Sequence, residues 1–211
     1  MEGPTHIEEL ALNKGLRLKV YLTSEVTPSL WLLPSEETES GLYESLARKF
    51  WLENFTVFLF PPEGQWEDLR DGFEASKSFL KARGRFLSFW IWGEGRGVLW
   101  ALRLAQEFSS DVAGLILDSL RPEDKAEAAE YLKNLRKPHL VLHPQLDPRF
   151  PFTEVERMFI LSPAHGKKLL LMPGMRRGET LVKGGDLYIR TIIEFINPRV
   201  GRWARAQKTF H

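Results

Sequence analysis

Phe86-Leu-Ser-Phe-Trp-Ile-Trp-Gly-Glu-Gly-Arg-Gly-Val98 is the stretch that decides the fold. It reads as a buried strand, a glycine-packed corner and the first turn of a helix. Val98, Leu99, Ala101, Leu102, Ala105 and Phe108 then continue as the apolar face of that helix. A strand that turns sharply into a helix between two glycines is the frame of a nucleophile elbow. Gly93 and Gly97 suit it because strand and helix pass there too closely for side chains. The residue at the tip would carry the attacking atom. Here it is Gly95, which has no side chain.

The 211 residues are enough for one sizeable core, and a single domain over 1–211 is expected. Hydrophobic residues make up 43% and charged residues 27%, the balance of an ordinary globular protein. A net charge of +1 gives no global pull toward nucleic acid or an anionic membrane. The absence of cysteine excludes disulfides and thiol catalysis. Met1-Glu-Gly-Pro-Thr-His has neither the basic nor the apolar part of a secretory signal. No apolar run approaches the roughly 20 residues of a membrane span, so a cytoplasmic location is expected. Asn and Gln are scarce, four of each, while Arg, Leu, Pro and Glu are plentiful, a composition that leans toward thermophiles.

Outward from the corner, short apolar strands alternate with helices. Ile7 to Leu12 and Leu16 to Leu22 flank Asn13-Lys-Gly15 as an antiparallel edge hairpin. Strands are expected at Ser29–Leu33, Phe55–Phe60, Phe86–Trp92, Val112–Leu117, His139–His143 and Lys168–Met172. Helices are expected at Gly41–Glu53, Trp66–Arg83, Arg96–Phe108, Pro122–Arg136, Phe152–Leu161 and Asp186–Asn197, the last stopping before Pro198. This alternation means right-handed crossovers and a mostly parallel twisted sheet covered on both faces, an αβα three-layer α/β fold. No internal repeat or low-complexity linker divides it. After Pro198, Arg199, Arg202, Arg205 and Lys208 accompany Trp203 and Phe210 without an acidic residue. This tail reads either as a helix extension docked by its aromatics, the commoner case, or as a basic arm for an acidic partner or nucleic acid.

With the corner placed, the order of elements resembles the α/β-hydrolase fold over nearly the whole chain. Pro138-His-Leu-Val-Leu-His-Pro-Gln-Leu-Asp-Pro-Arg-Phe-Pro151 is similar to that family's penultimate strand and acid loop, with Asp147 at the carboxylate position. Leu169-Leu-Leu-Met-Pro-Gly-Met-Arg-Arg-Gly-Glu179 is similar to its last strand and histidine loop. Leu32-Leu-Pro-Ser35 ends the strand where the family builds half of its oxyanion hole. The order elbow, acid, histidine loop also fits.

The resemblance implies a triad of hydroxyl or thiol, imidazole and carboxylate. This chain offers Gly95 at the attacking position. At the imidazole position it offers Arg177, or Arg176 if the register slips by one. Arginine keeps its proton at any working pH and cannot act as a general base. Only Asp147 remains, and an arginine beside it would form an ion pair.

Other residues are poor substitutes. Glu94 adjoins the empty tip, but a side chain there usually points away from the cleft. Ser88 reads as core. Ser35 and Ser119 end strands near the cleft with no histidine placed to serve them. His143 reads as a strand-end turn residue, His165 as exposed, and His6, His139 and His211 as unrelated. No histidine pair has metal-ligand spacing, so no metal site and no cofactor is expected. Gly93-x-Gly95-x-Gly97 has the wrong spacing for a dinucleotide fingerprint, and Asp118, the nearest acid, comes late.

The helix that starts near Arg96 offers free N–H groups, so Ser35, Glu94, Arg96, Arg176 and Arg177 are candidates for a ligand or anion site. The competing reading pairs those arginines with Glu94, Asp147 and Glu179. Ser119 to Lys137 has room for one helix and no lid. Trp90, Trp92 and Trp100 either fill a former pocket or line one, core filling being the commoner use. The sequence therefore points to a non-catalytic protein that binds a small ligand, a protein partner or itself as a homodimer. The alternative is a hydrolase of ester, thioester or peptide-like substrates by an atypical route. No membrane partner is expected, and nucleic acid is the least favoured.

Overall fold

The computed structural model describes residues 7–12, 15–35 and 39–208, with Ser40 and residues 199–208 described by backbone alone. In chain order the elements are β1 (Ile7–Ala11), β2 (Arg17–Tyr21), β3 (Ser29–Leu33), α1 (Ser40–Leu52), β4 (Thr56–Leu59), α2 (Trp66–Ala82) and β5 (Phe89–Glu94). There follow α3 (Arg96–Glu107), β6 (Val112–Asp118), α4 (Lys125–Asn134), β7 (His139–Pro144), α5 (Phe152–Leu161), β8 (Lys167–Met172) and α6 (Thr180–Lys208). The eight strands form one sheet in the order β1-β2-β4-β3-β5-β6-β7-β8. β2 is antiparallel to β1 and to β4, and every other pair is parallel.

Strand periodicity explains why β5 reads as a continuous apolar run. Successive side chains point to opposite faces, and both faces are covered. Phe89 and Ile91 enter the core beneath α2, α3, α4 and α5. Trp90 and Trp92 enter the core beneath α1 and α6. The helices over these two cores make the outer layers of the αβα sandwich. Aromatic packing dominates the first: Trp31 stacks on Phe58 at 5.7 Å, and Phe73 meets Phe89 at 4.9 Å. Between β6 and β7 the chain holds only a 3-10 turn at Pro122–Asp124 and α4, so no lid is inserted there.

Three boundaries differ from the sequence reading. β5 starts at Phe89 rather than Phe86, where the Phe89 N–H meets the Asp111 carbonyl at 2.7 Å, and it runs on through Glu94. The helix expected from Pro122 to Arg136 opens as a 3-10 turn and ends at Asn134, because Leu135 is extended. The last helix starts at Thr180, breaks at Gly185 (φ 50°, ψ −134°) and continues past Pro198 to Lys208. Proline removes one helical donor and crowds the preceding turn, but its fixed φ is itself helical, so an interior proline can kink a helix instead of stopping it. Asn13 and Lys14 of the hairpin turn, His6, and the side chains of Arg199, Arg202, Trp203, Arg205, Lys208, Phe210 and His211 lie outside what is described.

Candidate functional site

The C-terminal ends of β3, β5, β6, β7 and β8 bring the candidate residues to one rim of the sheet. At its centre Gly95 links β5 to α3 with φ 56° and ψ −116°, a backbone conformation that is strained for any residue with a Cβ. Its N–H bonds to the Asp118 carbonyl at 3.0 Å, and its own carbonyl accepts the Val98 N–H at 3.2 Å. The flanking glycines are required by contact. A Cβ on Gly93 would lie 2.2 Å from the Gly97 carbonyl oxygen, and one on Gly97 would lie 2.2 Å from that of Leu33. The corner is therefore the tight strand-to-helix turn that the sequence implied.

The tip of that corner is crowded by Ser35. A Cβ on Gly95 would lie 2.8 Å from Ser35 Oγ and 3.2 Å from Ser35 Cβ, with Arg121 Cγ at 3.8 Å. Ser35 is buried and held by its backbone: its N–H donates to the Tyr43 hydroxyl at 2.9 Å, and its carbonyl lies 3.1 Å from the same oxygen. Tyr43 also donates to Glu94 Oε2 at 2.5 Å. Glu94 is thus engaged with α1 through the same hydroxyl that holds Ser35.

Asp147 and Arg177 meet. Arg177 Nη2 lies 2.7 Å from Asp147 Oδ2, with the Asp147 side chain wholly buried and that of Arg177 12% exposed. The contact is one of charge, because Oδ2 has no partner in hydrogen-bond alignment. Arg177 spends its directed donors elsewhere: Nη1 on the Ser119 carbonyl at 2.9 Å and Nη2 on the Leu120 carbonyl at 2.8 Å. Asp147 Oδ1 accepts the N–H groups of Arg149 and Phe150 at 2.9 and 3.3 Å, which fixes the loop after β7. One guanidinium therefore ties together the loops that follow β6, β7 and β8. Arg176 is exposed, and its backbone N–H goes to Glu179 Oε2 at 2.8 Å. Arg177, not Arg176, is the residue that faces the acid.

Of the residues considered for an anion site, Ser35 and Glu94 meet at the Tyr43 hydroxyl, and the arginines lie on different loops. Arg96 turns toward the β4–α2 connection, where Nη2 donates to the Pro62 carbonyl at 2.9 Å and the guanidinium lies 4.2 Å from the Trp100 ring centre. Trp90, Trp92 and Trp100 are all buried and fill core. Beside the corner, Val98, Leu117, Leu120, His143, Phe150 and Met158 line part of an apolar cavity of about 30 Å³. That is space for about one water or methyl group, far below the roughly 300 Å³ of a ligand pocket.

Among the described residues no histidine is hydrogen-bonded to a side-chain hydroxyl. His143 is buried on Phe150, with Nε2 at 2.8 Å from the Phe150 carbonyl, and burial lowers its pKa. His139 sits at the opposite end of β7, bonded to the Lys137 carbonyl at 3.0 Å and likewise lowered by burial. His165 is exposed. Among the described residues no group of His, Asp and Glu could hold a metal ion, and no helix is long and apolar enough to cross a membrane.

One polar cluster escaped the sequence reading. Asp118, fully buried at the end of β6, accepts Ser119 Oγ at 2.7 Å, Tyr188 OH at 2.6 Å and Thr180 Oγ1 at 3.0 Å. Tyr188 in turn accepts the Trp92 indole N–H at 2.7 Å. Burial raises the Asp118 carboxyl against the pull of these three donors. Tyr188 is pushed well above its ordinary value, first by burial and then by Asp118. Ser119 adopts φ 55°, a strained backbone for a residue with a side chain. The only sequence signal was an aspartate ending an otherwise apolar strand; its partners on α6 lie some 60 to 70 residues away.

The sheet order, the glycine corner and the acid loop together make this the α/β-hydrolase fold. The chain matches no family model and no curated protein sequence. Solved structures match it closely in shape. A predicted CIB-like hydrolase from Thermoplasma acidophilum is 17% identical, with TM-score 0.69 over 91% of this chain and 98% of that one. The Pyrococcus furiosus esterase Pf2001 is 12% identical, with TM-score 0.73 over 92% and 90%. Est1E from Butyrivibrio proteoclasticus is 13% identical, with TM-score 0.67 over 90% and 99%. At such identities the likeness defines the fold.

Proposed function

We propose that this chain uses the α/β-hydrolase fold for binding rather than for acyl-enzyme hydrolysis. The observation that carries the reading is the bare and crowded tip: Gly95 offers no attacking atom, and Ser35 Oγ stands 2.8 Å from where a Cβ at that position would sit. The Asp147–Arg177 pair supports it. An imidazole at that position would shuttle a proton, whereas a guanidinium holds its proton and serves as a tether. With about 30 Å³ of cavity beside the corner, a small molecule does not fit there, and a protein surface is the more natural ligand of this rim.

A second reading is favoured by one feature. The Ser35 hydroxyl lies beside the amino end of α3, where N–H groups stabilise an oxyanion in esterases, and the structural neighbours are described as esterases and hydrolases. A hydrolase that attacks with Ser35 would act on ester, thioester or peptide-like bonds. Short-chain aryl esters separate the two. The binding reading expects the same background rate from the wild type, Ser35→Ala and Asp147→Ala. Turnover that disappears in Ser35→Ala or Asp147→Ala would overturn it.

A further inference from the structure

The two edges of the sheet are protected unequally. At one edge β1 carries Glu8 and Glu9, held in ion pairs with Arg83 at 3.1 Å and Arg17 at 2.6 Å. Charges of this kind keep an edge from pairing with another chain. At the other edge β8 reads Lys-Lys-Leu-Leu-Leu-Met and has β7 as its only strand neighbour among the described residues. Its register with β7 is unbroken from Lys167 to Met172, with no bulge to spoil the edge.

The first of its two lysines does not guard it. Lys167 Nζ folds onto the end of α5, donating to the Phe159 and Ser162 carbonyls at 2.9 and 2.6 Å. Lys168 alone is exposed, while Leu169, Leu170 and Leu171 are half-buried. Leu169 and Leu170 pack against the two cores, and Leu171 belongs to neither. The flanking helices add apolar surface: Ile160 and Leu161 on α5 are 67% and 39% exposed, and Val182 in the first turn of α6 is 56% exposed.

We propose that β8 is a self-association edge, at which two copies of the chain pair antiparallel about a two-fold axis through Leu170. The strand is complementary to itself in that direction only. Leu170 faces its own copy, Leu169 faces Leu171, and Lys168 faces Met172, so the two lysines lie at opposite ends of the ladder. A parallel pairing would set Lys168 beside its copy, and like charges opposite one another are unfavourable. The antiparallel pair satisfies the outward N–H and C=O groups of both edges and joins the two sheets into one. Nothing in it depends on the chemistry at Gly95, so it stands whether or not the elbow proves catalytic.

Sedimentation velocity across roughly 1–100 µM tests it, in a range where a micromolar dimer dissociates visibly. The wild type is expected to dimerise. Leu171→Lys places a charge in the ladder twice per dimer, and the dissociation constant is expected to rise about tenfold or more, with melting unchanged at concentrations where both chains are monomeric. The chain has no cysteine, so Leu170→Cys introduces a single thiol. Residues directly opposite in an antiparallel pair have Cα atoms about 4.5–5.5 Å apart, within disulfide reach. Mild oxidation should therefore cross-link Leu170→Cys and spare Leu52→Cys, placed on α1 where the leucine is 74% exposed. A monomer at every concentration, a dimer indifferent to Leu171→Lys, or equal cross-linking at positions 52 and 170 would each overturn the proposal. If Leu171→Lys misfolds, the cross-linking result decides.

Discussion

Replacing Arg177 with methionine strands a charge. Its partner Asp147 has a wholly buried side chain, and Arg177 itself is only 12% exposed, so water can do little to compensate. The variant also takes donors from the Ser119 and Leu120 carbonyls. Removing one member of a buried ion pair costs about 3–5 kcal/mol. Methionine keeps much of the aliphatic stem, so the loss is mainly electrostatic. For a chain of this size each kcal/mol moves the melting temperature about 2–4 °C, so a fall of about 6–20 °C is expected. Urea unfolding at neutral pH, followed by far-UV circular dichroism and tryptophan fluorescence, gives the free energy directly. Arg176→Met, on an exposed side chain, should stay within about 0.5 kcal/mol of wild type. Adding Asp147→Asn to Arg177→Met removes the stranded charge while keeping an oxygen for the Arg149 and Phe150 N–H groups, and should restore part of the loss. A cost for Arg177→Met below about 1 kcal/mol, or no recovery on adding Asp147→Asn, would refute the tether.

Gly95→Ser should lose about 1–3 kcal/mol to the positive φ alone and more to the contact with Ser35. Adding Ser35→Gly should return the steric part, and a Gly95→Ser single variant that melts like wild type would show that the tip is open. Asp118 is raised by burial, so its stabilising contribution is full below the unfolded value near pH 3.9 and is lost as the pH climbs through the folded one. The stability of Asp118→Asn relative to wild type should therefore improve as the pH rises above about 4; parallel urea midpoints would contradict this. His139 and His143 are lowered by burial, so their contribution is full above about pH 6.5 and fades as the pH falls toward the folded values. The double change His139→Gln with His143→Gln should flatten that acid limb in the same measurement.

Much of the fold could be read from pattern alone. A strand buried on both faces must be apolar at every position, and β5, β6 and β7 announce themselves that way. The corner was legible because Gly93 and Gly97 answer a backbone contact that only glycine tolerates. Asp147 and Arg177 were legible as a pair because both follow their strands at short, fixed distances. Residues brought together across the sheet were not. Ser35 meets Gly95 only because β3 and β5 are neighbours in register, and Asp118 finds Thr180 and Tyr188 only once α6 is docked. The favoured reading of the tail as a helix extension agrees with α6 running to Lys208; the stop placed before Pro198 does not, because local propensity treats proline as an end whereas a formed helix can carry one as a kink.

The meeting of Ser35 and Gly95 also makes the order of mutational steps matter. A hydroxyl introduced at position 95 while Ser35 is present enters occupied space; introduced after Ser35 has been shortened, it does not. The two changes are therefore non-additive, and only one of the two single-step paths between the present chain and a nucleophile-bearing one avoids a destabilised intermediate. A selection experiment started from this gene should find substitutions at codon 35 before any at codon 95.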